Sequence, residues 1–153
     1  MLLYSLMQHP DFQRPDLSIR PQHLPARDKS LLMQLMRHIF GTKVKLADYR
    51  IIRYQADYII IAARLEHPSI SVTVKLAGPQ APLPCPFDRT AALLRLVRAK
   101  TAVPVPEVLA VDMSYKQWPW RYIIKTYVPG KEWAVVRPRM DKQELTNAYR
   151  GRH

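Results

Sequence analysis

The chain has 153 residues, with 24 Lys+Arg against 12 Asp+Glu for a formal net charge of +12, and 48% of it is apolar. That length allows one domain, the apolar content excludes wholesale disorder, and no run approaches the roughly 18 apolar residues of a membrane span. Fourteen prolines stand beside four glycines, which leaves little material for a glycine-rich phosphate loop.

The single cysteine, Cys85, excludes a disulfide framework and suits a reducing, cytoplasmic compartment. The opening MLLYSLMQHP lacks the basic start and the apolar length of a secretory signal. Basic residues spread from Arg14 to Arg152 without a block of like charge, and the five histidines are isolated from one another and from Cys85. There is no zinc-finger spacing, no aromatic RNP-type strand and no helix-turn-helix pattern. The charge therefore reads as a solvated basic surface, with nucleic-acid binding as the alternative.

Residues 1–27 hold Pro10, Pro15, Pro21 and Pro25 among polar residues and read as an irregular arm. From Asp28, the residues Leu31, Leu32, Leu35, Met36 and Ile39 recur at three and four, an amphipathic helix. Asp28 or Ser30 can cap its start and Gly41 its end. Strands are expected at Tyr49–Tyr54, Tyr58–Leu65 and Ile70–Ala77, with a turn at Glu66-His67-Pro68. In the third, Val72, Val74 and Leu76 face one way and Ser71, Thr73 and Lys75 the other.

Gly78–Pro86 is a proline-rich loop around Cys85, which has no local His or acidic partner to make it a nucleophile. A second helix follows from Phe87, burying either Phe87, Ala91, Leu94 and Val97 or Leu93 and Leu96, and Pro104 and Pro106 stop it. Strands at Val108–Met113 and Arg121–Val128 come next, then a connector after Pro129-Gly130 and a last helix from Asp141, with Glu144 in its first turn. Trp118, Trp120 and Trp133 read as packing and boundary aromatics. The order predicts an α+β fold: an N-terminal helix, then a five-stranded antiparallel sheet with one helix after strand three.

That order, the Val72-Thr73-Val74-Lys75 run on strand three, the ending VPVPEVLAVD and the run RYIIKTYVPG resemble the small lobe of the aminoglycoside phosphotransferase and choline-kinase-like family, of protein-kinase-like fold. The resemblance covers about residues 44–133. It divides the chain into the arm 1–27, a nucleotide-binding lobe 28–130, and a connector with the start of a helical lobe at 131–153. It implies ATP as cofactor, with Lys75 on the phosphates and Thr73 against the adenine. The base would be held by the Thr126 carbonyl and the Val128 N–H, with Tyr127 between them.

Three departures stand beside it. The turn Tyr54-Gln55-Ala56-Asp57-Tyr58 has no glycine and carries an acid. The helix position that should offer a glutamate to Lys75 is Thr90, and the nearby carboxylate, Asp88, faces elsewhere. No His-x-Asp-x-x-x-x-Asn run occurs, so neither catalytic residues nor Mg²⁺ ligands are assigned. The expectation is a lobe inactive alone, whose acceptor, a small alcohol or aminoglycoside, needs a second lobe. An uncovered lobe interface would favour self-association. A non-catalytic binding or regulatory module with the same fold is the competing reading.

Overall fold

The computed structural model describes residues 29–55, 57–78, 81, 84–116, 118, 120–130 and 137–150. Their order is α1 (Lys29–Phe40), β1 (Lys45–Tyr54), β2 (Ile59–Glu66), β3 (Ile70–Ala77), α2 (Phe87–Lys100), β4 (Val108–Asp112), β5 (Arg121–Thr126), a 3-10 turn at Arg137–Arg139 and α3 (Lys142–Arg150). The strands form one antiparallel sheet in the order β1-β2-β3-β5-β4, the α+β arrangement expected. The arm 1–27, Asp28 and Trp133 lie outside the described residues.

α1 forms because its apolar residues recur at helical spacing, and it docks for the same reason. Leu32, Leu35 and Met36 are fully buried against one face of the sheet, where they meet Ile59, Ile61, Val72, Val74 and Ile124. Gly41 ends the helix: its N–H donates to the Arg37 carbonyl at 2.9 Å and its φ is +94°. A Cβ at Gly41 would meet nothing, so the cost of Gly41→Ala is that of the backbone alone. We expect a loss of about 1–2 kcal/mol, read as a lower urea midpoint at unchanged slope.

β1 starts at Lys45, four residues before the expected Tyr49. The reason lies in two irregularities, between Leu46 and Asp48 and between Ile51 and Arg53, which each slip the alternation by one residue and hide the strand period. β2 begins at Ile59 rather than Tyr58 because the Tyr58 carbonyl accepts the Gln55 N–H (2.9 Å) and closes the hairpin. β4 stops at Asp112 rather than Met113, where the Asp112 carboxylate accepts the Ser114 N–H at 3.1 Å and turns the chain. β5 stops at Thr126 rather than Val128. Tyr127 adds one more rung, donating to the Ser71 carbonyl at 2.9 Å, but Pro129 has no N–H to continue.

α2 packs on the opposite face of the sheet, over its β5–β4 side. Phe87 and Ala91 are buried there, with Ala77, Cys85 and Ile123, while Leu93 and Leu96 are 60% and 56% exposed. Of the two inward faces open from sequence, the chain uses the one that begins at Phe87. The helix ends where Thr101 turns both its N–H (2.9 Å) and its hydroxyl (2.8 Å) onto the Val97 carbonyl. α3 opens on a reciprocal cap: Glu144 N–H donates to Asp141 Oδ1 (2.8 Å), and Asp141 N–H donates to Glu144 Oε2 (2.9 Å).

Candidate functional site

α2 covers only part of its sheet face, and the remainder is a polar trough across β1, β2, β3 and β5. The antiparallel register sets its rows. Arg53, Ile60, Lys75 and Ile123 share one row, and Arg50, Ala62, Thr73 and Lys125 the next. The alternation expected for β3 therefore holds: Val72, Val74 and Leu76 are buried, and Thr73 and Lys75 are half-buried on the trough floor.

One end of the trough is aromatic. Lys75 Nζ stands 3.7 Å from the centroid of the Tyr58 ring and 5.6 Å from that of Phe87, so two π faces hold the ammonium. The helix position expected to face Lys75, Thr90, instead lies exposed and turns its hydroxyl onto the Pro86 carbonyl at 3.2 Å. Asp88 is exposed as well, and no described carboxylate forms an ion pair with Lys75. The ammonium is thus placed by aromatic rings where a carboxylate would otherwise have fixed it.

The other end is closed by Tyr127. Its hydroxyl accepts a hydrogen bond from Arg50 Nη2 at 3.3 Å, which carries the side chain from β5 across the sheet toward β1. Beneath it lies a shallow groove of about 160 Å³ bordered by Asp48, Arg64 and Ser71. Tyr127, expected only as a spacer between two backbone contacts, is here a wall.

The backbone around it has a geometry of its own. Thr126 N–H donates to the Glu107 carbonyl at 2.9 Å, but the Glu107 N–H goes to the Thr126 hydroxyl, also at 2.9 Å, rather than to its carbonyl. Because Tyr127 N–H is spent on Ser71, alternation turns the Thr126 carbonyl and the Val128 N–H to the side away from β3. Val128 is 60% exposed. An acceptor and a donor two residues apart therefore share one edge.

Lys125 was not foreseen. It lies opposite Thr73 and diagonally beside Lys75, half-buried and without an ion pair among the described residues. Burial, and then the charge of Lys75, pull its ammonium below the usual lysine range. Alternation of RYIIKTY alone would put Lys125 and Ile123 on one face; that this is also the face of Lys75 depends on the long-range pairing of Lys75 with Ile123 and Thr73 with Lys125, which no local pattern encodes.

Cys85 is buried, with its thiol 3.8 Å from the Asp57 carbonyl oxygen. Burial pushes its pKa up, against the opposing pull of Lys75 and Arg121. Trp118 is buried with its ring centroid 5.9 Å from that of Trp120, and Trp120 lies against Gly78, so both have packing roles. Among the described residues no group of three His, Cys, Asp or Glu side chains is placed to hold a metal ion, and no helix is long and apolar enough to cross a membrane.

A comparison with protein-family models finds no match to this chain, and comparisons with curated proteins and with solved structures return no significant similarity. The fold and the trough therefore carry the functional argument by themselves.

Proposed function

We propose that this chain is a nucleotide-binding lobe of the aminoglycoside phosphotransferase and choline-kinase-like kind, contributing a phosphate lysine and a backbone edge for the base. The observation that carries it is convergence. Lys75 and Thr73 share one face of β3, α2 packs on that same face, and the Thr126 carbonyl and Val128 N–H share an edge at the end of the neighbouring strand. An ammonium held between Tyr58 and Phe87 offers ATP a point charge for its phosphates. A cytoplasmic setting fits the lone buried thiol of Cys85.

Among the described residues no carboxylate cluster adjoins Lys75 to hold a Mg²⁺, and no step is drawn through the metal. No catalytic base is assigned either: the chain has no His-x-Asp-x-x-x-x-Asn run, and its acceptor pocket would belong to other segments. The competing reading is a binding or regulatory module without catalysis. It is favoured by the place of Phe87 beside Lys75, where an acidic partner is expected.

Calorimetric titration with ATP tests the assignment. Binding to the wild-type chain is expected, weakened about 10- to 100-fold by Lys75→Met, with no phosphoryl transfer to any alcohol. Absence of ATP binding at millimolar concentration would leave the non-catalytic module as the reading. Turnover that disappears in Lys75→Met would show that the catalytic groups are present after all.

A further inference from the structure

Lys125 has no role in the nucleotide reading, yet it occupies the middle of the trough. The cations on that face include Lys75 at the aromatic end, Lys125 diagonally beside it on β5, and Arg50 in the Lys125 row on β1, where it reaches Tyr127. The floor between them is low, made by Ala62 and Thr73, and the Thr73 hydroxyl adds a neutral donor. Two acids lie near its ends. Asp48 stands opposite Arg64 at the far edge, and Asp57 sits at the hairpin tip beside Cys85. Neither is ion-paired with Lys75 or Lys125.

Diagonal neighbours on adjacent strands are about 7–8 Å apart at the backbone. Two ammonium groups rooted at that spacing, both half-buried on the same face, repel one another, and neither has an ion-pair partner among the described residues. A single carboxylate or sulfate satisfies one of them. A chain of linked phosphates satisfies both at once, because its negative charges repeat at a spacing of a few ångströms and its bridging oxygens lie along a line.

We propose that the trough binds a linear polyphosphate, with Lys75 and Lys125 as paired ligands of successive phosphate groups and Arg50 facing them from β1 across Ala62 and Thr73. The site needs no base. It shares Lys75 with the nucleotide reading but does not rest on it, since Lys125 and Arg50 are new to it and the adenine edge plays no part. A bound anion would offset both the desolvation and the Lys75 repulsion that lower the Lys125 pKa.

The probe is inorganic tripolyphosphate, titrated calorimetrically at fixed ionic strength, with inorganic sulfate as the monomeric anion and ATP as competitor. The chains compared are wild type, Lys125→Met, Lys75→Met and Arg37→Met, the last removing an exposed charge on α1. The expected result is saturable tripolyphosphate binding, weakened about 10- to 100-fold by either lysine substitution and less than about twofold by Arg37→Met. Sulfate should bind far more weakly.

Lys125→Met removes a half-buried charge and should melt at or above the wild-type temperature, so lost binding in that variant is not lost folding. Equal affinity in wild type and Lys125→Met would overturn the proposal. So would an equal loss in Arg37→Met, which would mean diffuse surface charge. ATP binding that depends on Lys75 but not Lys125, without tripolyphosphate binding, sinks this site and leaves the nucleotide lobe standing. Tripolyphosphate binding that needs both lysines and is untouched by ATP does the reverse.

Discussion

Leu35→Ala is expected to lower the unfolding free energy by about 2–5 kcal/mol. The side chain is fully buried on α1, between Leu32 and Met36, in the same cluster as Ile61, Val74 and Ile124 at the centre of the sheet. Truncation removes the transfer energy of the lost methyl groups and leaves a cavity that three strands and a helix cannot close. Urea unfolding followed by tryptophan fluorescence reads the loss, since Trp118 belongs to that cluster. A shift smaller than about 1 kcal/mol would mean that α1 is not docked in solution. Because α1 lies on the face opposite the trough, anion affinity per folded molecule should stay at the wild-type value.

The two faces of the sheet differ in how far the sequence discloses them. The face under α1 could be read in advance, because one helix with one apolar stripe and a strand with strict alternation each announce a side: Leu32, Leu35 and Met36 on one element, Val72, Val74 and Leu76 on the other. β1 could not be read to its start, since Ala47 and Ile52 are extra residues that break its period. α2 offered two apolar stripes. Only the loop that brings Phe87 against Ala77 and Ile123 selects between them, leaving Leu93 and Leu96 exposed.

The site divides in the same way. Thr73 and Lys75 follow from a period of two within eight residues. Lys125 does not, because its place opposite Thr73 is a long-range register, and registers are set by the whole sheet. Tyr127 was placed correctly in the chain, but the reach of its ring toward Arg50 depends on 77 residues of intervening fold. Thr90 shows the converse error of inference. Counting along a helix gave it a partner's position, and the helix instead spends that hydroxyl on its own first turn. Local periods fix which residues share a face; what meets across the face comes from pairing between strands.

Phe87→Ala should cost about 3–5 kcal/mol and should act on one element more than on the whole. α2 buries only two side chains, Phe87 and Ala91, and Phe87 is by far the larger. Without it the helix retains Ala91 and the partly buried Leu94 as anchors, too little apolar surface to offset the entropy of holding 14 residues in place. Hydrogen exchange by mass spectrometry should then show α2 amides exchanging far faster than those of β2 and β3, whose core on the α1 face is untouched.

Phe87→Leu separates the two functions of the ring. It preserves most of the apolar volume and should cost less than about 1.5 kcal/mol, yet it removes one of the two π faces around Lys75. Anion binding in Phe87→Leu should weaken severalfold while α2 stays protected. If Phe87→Ala leaves α2 exchange unchanged, the helix is held by something other than this residue. The aromatic end of the trough would then no longer depend on it.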